Sequence, residues 1–193
     1  MDPDSCLKEY HEFLSTKKIC ISLYHDNIRK QLKERSDLCD DVVLFYRKAK
    51  LDNEKISFLE DLIAMGYNKN KIAELALENF YLHPTPSNLW GYADLLYSLR
   101  VFSYLRQYVE IIQNRSLGEA RQMLILLVGK SKKDHVVDVL KSLLDDQTVY
   151  GHALDALSNF PCEETNVIMC NHKDCSVDWI RKIAEDYLKK YKL

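Results

Sequence analysis

Apolar residues recur at intervals of three and four along almost the whole chain, the spacing that gives a helix one buried face. Leu7, Tyr10, Phe13 and Leu14 open the pattern, and Ile19, Leu23, Ile28 and Leu32 continue it. Leu38, Val42, Val43 and Tyr46 predict a further helix, with Ser36-Asp37 placed to cap it. Asp52-Asn53 opens the next, which carries Ile56, Leu59, Leu62 and Ile63 and ends at Gly66, a residue suited to the left-handed C′ position. Residues 68–81 follow with Ile72, Leu75, Ala76 and Phe80. The clearest interruption is His83-Pro84-Thr85-Pro86-Ser87, because two prolines in three residues do not fit a helix interior. Ser87 is then placed to cap a helix with Leu89, Trp90, Ala93, Leu96 and Leu99. Beyond it, segments near 101–114, 117–129, 133–145, 149–160, 164–171 and 176–191 alternate with short turns. Ser116 and Glu119 stand at capping-box spacing. About eleven helices result, and no segment has the alternation and turn chemistry of a strand.

Composition supports this reading. The chain has 193 residues but only 5 Gly and 4 Pro, too few for the turns of a many-stranded sheet or for a glycine-rich phosphate loop. Lys and Arg number 27 against 29 Asp and Glu, so the totals show no basic field for nucleic acid. The start, MDPDSCLKEYHEFL, has neither a basic segment nor an apolar core of an export signal. The longest apolar run, Met123–Val128, is far short of a membrane span. Six cysteines without an export signal read as reduced thiols, and the expected location is the cytoplasm.

A repeat of roughly 30 residues organises the second half. Ile111-Ile112-Gln113-Asn114 is followed by Gly118, Ala120 and Leu124. Leu143-Leu144-Asp145-Asp146 is followed by Gly151, Ala153 and Leu157, and a third copy runs through Asp174, Val177, Ile180, Ile183, Ala184 and Leu188. Each copy reads helix, polar turn, helix with a small residue near its middle. A single pair of this kind cannot bury both faces, so the copies are expected to stack.

The stretch LLDDQTVYGHALDALSNF, Leu143 to Phe160, resembles a HEAT repeat, with Val149, Ala153, Ala156 and Leu157 on the family's small and apolar positions. VDWIRKIAEDYLKKY is similar to a closing HEAT helix through Trp179, Ile180, Arg181, Ala184 and Leu188. NLWGYADLLYSL, Asn88 to Leu99, is similar to an upstream helix of small bacterial HEAT-like proteins. The family usually has Arg where Tyr150 stands. The resemblance covers about 88–193. It implies an all-α, right-handed α-solenoid of stacked antiparallel helix pairs. Residues 1–85 are then a helical cap or divergent repeats and 86–193 the HEAT-like repeats, in one continuous array. It also implies a binding scaffold rather than a reaction.

On that expectation, the polar side of each second helix lines a concave face. It should present Tyr150, His152, Asp155 and Asn159 in one copy, and Glu119, Arg121 and Gln122 in the copy before. The last helix should present Asp178, Arg181, Lys182 and Glu185. Tyr92, Tyr97 and Tyr150 lie off the apolar stripe and are expected at the surface, where tyrosine supplies contact area at low entropy cost. Trp90 is expected in the core. The partner-binding set is therefore Tyr92, Arg121, Gln122, Tyr150, His152, Asp155, Asn159, Arg181 and Lys182. His152 and Asp155 share a helix face, as an imidazole general base and its carboxylate would, but no nucleophile is tied to them by a motif. Cys162, Cys170, His172 and Cys175 include zinc-ligand types, yet they lack a C-x2-C knuckle and read as a core thiol and loop thiols. No catalytic residue, metal or cofactor is expected.

The mixed charges suit a protein partner, and the chain is expected to be monomeric when free. One specific form is a cytoplasmic immunity protein that blocks a bacterial toxin. The alternative is a HEAT-like protein that binds DNA and repairs alkylated bases, which would need a basic channel. A HEAT-built bilin-lyase-like helper shares only the fold.

Overall fold

A computed structural model describes the backbone of residues 5–19, 25–82 and 86–192, and their side chains other than those of 5, 25–27 and 86–88. The protein is all-α, with twelve α-helices and three 3-10 segments among the described residues. No helix among them is long and apolar enough to cross a membrane. The chain divides into two compact units, Met1–His83 and Pro84–Leu193.

The first unit contains α1 (Ser5–Thr16), α2 (His25–Leu32), α3 (Cys39–Lys48), α4 (Asp52–Ala64) and α5 (Lys69–Leu82), with a 3-10 turn at Ser36–Leu38. Helix α4 is central and packs on α2, α3 and α5, while α1 packs on α3. Aromatic rings fill the space between α1, α3 and α4. Tyr10 meets Phe58 edge-on at 4.8 Å between centroids and Phe45 at 5.1 Å, and Phe13 meets Phe45 at 5.4 Å. Buried hydroxyls need partners. Tyr10 donates to Asp61 at 2.9 Å, and Tyr46 donates to the Leu75 carbonyl at 2.6 Å while accepting from Asn79 at 2.9 Å.

Gly66 ends α4 as its sequence position predicts. It takes φ of 75°, its N–H bonds the Ile63 carbonyl, and the Tyr67 N–H bonds that of Leu62. This pair of bonds satisfies carbonyls that a helix end otherwise leaves open. Asn68 opens α5 by accepting from the Asn70 and Lys71 amides. The predicted Ser36-Asp37 cap does not form. A 3-10 turn occupies these residues, no side chain caps α3, and Asp37 instead pairs with Arg35.

The second unit contains α6 (Pro86–Leu99), α7 (Leu105–Gln113), α8 (Gln122–Lys130), α9 (Val137–Ser142), α10 (Tyr150–Leu157), α11 (Glu163–His172) and α12 (Asp178–Tyr191). Pro86 stands at the first helical position, where its missing N–H costs nothing. The predicted Ser87 cap lies outside the described side chains. Helix α8 packs between α6 and α10, and α10 packs on α12. Helices α7, α9 and α11 pack on α8, α10 and α12 respectively. Like ends meet along the row: Lys130 in the last turn of α8 reaches Tyr97 near the end of α6, and Trp179 at the start of α12 lies on Gly151 at the start of α10. The four row helices therefore run in the same direction.

Small residues set two of these contacts. A Cβ on Gly129 would stand 2.6 Å from the Cβ of Ala156, so α8 and α10 touch because that Cβ is missing. Gly151 plays the same part beneath Trp179.

Gly118 and Gly151, expected at equivalent repeat positions, differ in role. Gly118 has φ of 51° inside the 3-10 segment Arg115–Arg121, whereas Gly151 lies within α10. The kink at Gly118 also separates Ser116 from Glu119, so the predicted capping box is replaced by Asn114, whose side chain accepts from the Ser116 amide and hydroxyl.

Candidate functional site

The outward face of the row α6, α8, α10 and α12 carries the exposed chemistry of the second unit. Trp179 is 47% exposed, although its ring rests on Gly151, and it meets the His152 ring at 5.5 Å. Spacing of three and four along α12 places Lys182, Ile183, Asp186 and Lys190 beyond it. Asp155 of α10 and Ser158 just after it face Ile183, Asp186, Tyr187 and Lys190 of α12 across a shallow groove of about 190 Å³. At the other end of the row, Lys130 lies 3.9 Å from the Tyr97 ring centroid and donates to the Tyr97 hydroxyl.

Burial and charge oppose one another along this face. Burial pushes the His152 imidazole down, partly offset by the Asp155 and Glu119 carboxylates. Burial thus favours the neutral imidazole of His152. Burial pushes the Asp155 carboxyl up, partly offset by His152 and Lys130.

Five of the predicted partner-binding residues are half-buried or exposed on α10, the turn after it and α12: Tyr150, His152, Asp155, Asn159 and Lys182. Asn159 turns its amide back onto the Asp155 and Ala156 carbonyls. Gln122 is half-buried and bonds the Thr148 carbonyl. Arg181 lies on the flank of α12, bound to Asp178, Glu185 and the Cys175 carbonyl.

Two predicted residues are corrected. Tyr92 is buried, because α6 packs both on α8 and on the Arg115–Arg121 segment and so covers two of its sides. Arg121 is also fully buried. It donates to the Gly118 and Ile112 carbonyls at 3.0 and 2.8 Å and to Asp146 at 2.7 Å. Asp146 in turn accepts from the amide and hydroxyl of Thr148. Burial pushes the Asp146 carboxyl up, but the bonds from Arg121 and Thr148 outweigh it and hold it at about 2. This pair ties the α9–α10 turn to the end of α7 and takes no part in the surface.

Trp90 is corrected in the opposite sense: it is 48% exposed. Leu89, Tyr92, Ala93 and Leu96 occupy the buried side of α6, and Trp90 falls one helical step off it. The cysteine cluster disperses. Cys162 caps α11 by accepting from the Thr165 amide, Cys170 is exposed, and the His172 ring lies 2.8 Å from the Ile168 carbonyl. No group of three His, Cys, Asp or Glu side chains among the described residues is arranged to hold a metal ion.

Asp186 and Lys190 of the groove were legible as one stripe with Trp179. The Tyr97–Lys130 contact, across 33 positions, carries no local signal. The protein is thus all-α among the described residues, and its second unit presents mixed charges and two exposed tryptophans, Trp90 and Trp179. Comparison with protein-family models, with curated proteins and with solved structures finds no match.

Proposed function

We propose that residues 84–193 form a short HEAT-like α-solenoid whose α6–α8–α10–α12 face binds a folded protein partner without catalysing a reaction. Three features support the solenoid. Four row helices run in one direction, each of α8, α10 and α12 is backed by its own preceding helix, and Arg121–Asp146 joins consecutive pairs. The observation that carries the binding role is the exposure of Trp90 and Trp179, since half-exposed tryptophans in a surface of mixed charge are the residue type that dominates interface energies. Inhibition of a toxin in the bacterial cytoplasm is one form this binding would take.

Recovery of a stoichiometric partner from the native host at moderate salt tests the reading. Trp90→Ala with Trp179→Ala should weaken that complex at least tenfold, since interface tryptophans contribute about 2 kcal/mol or more each. Tyr81→Ala, at an exposed position of the first unit, should leave it unchanged. Failure to recover a partner, or full retention by the double variant, rejects the proposal. Glu119, Asp155 and Asp186 interrupt any basic path along the face, so no gel shift is expected with alkylated duplex DNA at low salt.

A further inference from the structure

The first turn of α10 brings His152 against Trp179 of α12, with ring centroids 5.5 Å apart and planes tilted by 56°. The contact has a built support. A Cβ on Gly151 would stand 2.1 Å from the Trp179 ring, so its absence lets the indole lie down on α10 beside the imidazole. Trp179 still exposes about half its surface, and His152 is half-buried.

The charges that bear on this imidazole are Asp155, one turn along α10, and Glu119, from the segment before α8. Other charges of the helices packed on α10 are engaged elsewhere. Lys130 of α8 donates to the Tyr97 hydroxyl. Lys141 of α9 pairs with Asp138 and with Glu164 of α11, and Arg181 of α12 holds Asp178 and Glu185 on the flank. Lys182 is exposed one turn beyond Trp179, and Asp186 and Lys190 lie further along, in the groove with Asp155. The two carboxylates favour a charged imidazole, but burial outweighs them and holds it below its ordinary value of 6.5.

A protein surface laid over Trp179 also covers His152, because the two rings touch. The indole is best met by apolar groups, which bring no charge with them. Covering then removes water from the imidazole and makes its charged form costlier still. Binding and protonation at His152 therefore oppose each other, and the opposition is reciprocal.

Resting on the binding role proposed for this face, we infer that His152 is a proton-operated release switch: an apolar partner surface docks over Trp179 while His152 is uncharged, and a proton on His152 drives it off. The complex holds fewer protons than the free chain. Affinity is therefore full above pH 6.5 and falls as pH drops below it, by up to about tenfold per pH unit while the complex stays unprotonated.

Two measurements test the switch. In the full chain alone, imidazole NMR from pH 8 to 5 should give His152 a midpoint below 6.5, its signal assigned by loss in His152→Gln. Trp179 emission in a Trp90→Phe background should be quenched with the same midpoint, since an imidazolium quenches an indole it touches. Glu119→Gln should lower the midpoint further, because it removes a carboxylate that favours the proton. The partner recovered from the native host should then bind about threefold or more weaker at pH 5 than at pH 7.5. His152→Gln should remove that loss. A midpoint at or above 6.5, emission that does not follow it, or affinity that is constant or rises in acid overturns the proposal. Failure to recover any partner rejects the binding role and this switch with it, whereas a partner held equally at both pH values rejects the switch alone. The emission titration keeps His152 in place, so it decides the matter even if His152→Gln fails to fold.

Discussion

In residues 1–83 the deepest polar contacts come from tyrosine hydroxyls, whereas in residues 84–193 they come from a buried ion pair. Tyr10 and Tyr46 sit among rings and aliphatic side chains, and burial raises both phenols, Tyr46 to about 12. They stay neutral at any ordinary pH, and each places a single O–H on one acceptor. Arg121 instead brings a full charge into the second unit and uses it on two carbonyls, a carboxylate and a hydroxyl. The apolar contacts differ in the same way. Large rings fill the first unit, while missing or single methyl groups at Gly129 and Ala156 let helices approach closely in the second. A tyrosine hydroxyl carries no charge into the interior, and each donates a single bond. A buried charge pair holds several segments at once and fails as a unit.

The largest effect should come from Arg121→Ala, which strands Asp146 in the interior. A cost of about 3–5 kcal/mol is expected for removing one partner of a buried pair. Urea unfolding should show it as a lowered midpoint, and a loss below 1 kcal/mol would mean that the pair is not tightly held.

Acid should act on the same pair. Asp146 has an ordinary value of 3.8 and is held at about 2 in the folded protein. A depressed carboxylate contributes its stability fully above pH 4. That contribution, about 2 kcal/mol, is lost as pH falls from about 4 to about 2. Asp146→Asn should remove this acid-dependent part of the stability, measured by urea midpoints from pH 7 to 2.

Gly129→Ala comes next, because its new methyl meets the Cβ and Cα of Ala156, neither of which can swing aside. Overpacking of this kind costs about 1–3 kcal/mol. An unchanged thermal midpoint would show that α8 and α10 separate freely.

Tyr10→Phe, the matching change in the first unit, removes one hydrogen bond to Asp61 and should cost about 1–2 kcal/mol. An effect as large as that of Arg121→Ala would erase the contrast between the units.

The smallest effect belongs to Gly151→Ala. The atoms its methyl would meet are the far end of the Trp179 ring, which is already half-exposed and free to move outward. The stability change should stay below about 1 kcal/mol, within the usual scatter of surface substitutions. The ring should still move, and a red-shifted Trp179 emission in a Trp90→Phe background would report it.

Helix positions were largely legible because the signals are local. Gly66 and Asn68 end and open helices through bonds within five residues, and the Pro84–Pro86 interruption falls beside the division between the units. Where a cap depended on backbone geometry, local reading failed. Ser116 and Glu119 have the right spacing, but the positive φ of Gly118 lies between them. Much of the candidate face was also legible: His152, Asp155 and Lys182 are polar residues on helices with clear apolar stripes. Asp186 and Lys190 continue the same spacing. Tyr92, Arg121 and Trp90 were not legible, each for the same kind of reason.

The sequence by itself determined that the chain is helical, roughly where most helices lie, and which side of each is most apolar. These follow from a period of 3.6 residues and from glycine, proline and capping side chains, all of which act over a few positions. Only the tertiary structure decided how many sides of a helix are covered. Helix α6 is packed from two directions, so Tyr92 is enclosed while Trp90, two residues earlier, stays in solvent. Arg121 is buried because Asp146, 25 residues later, returns to meet it. A charge is kept inside a protein only by a partner that folding delivers, and the spacing along one helix holds no record of that partner.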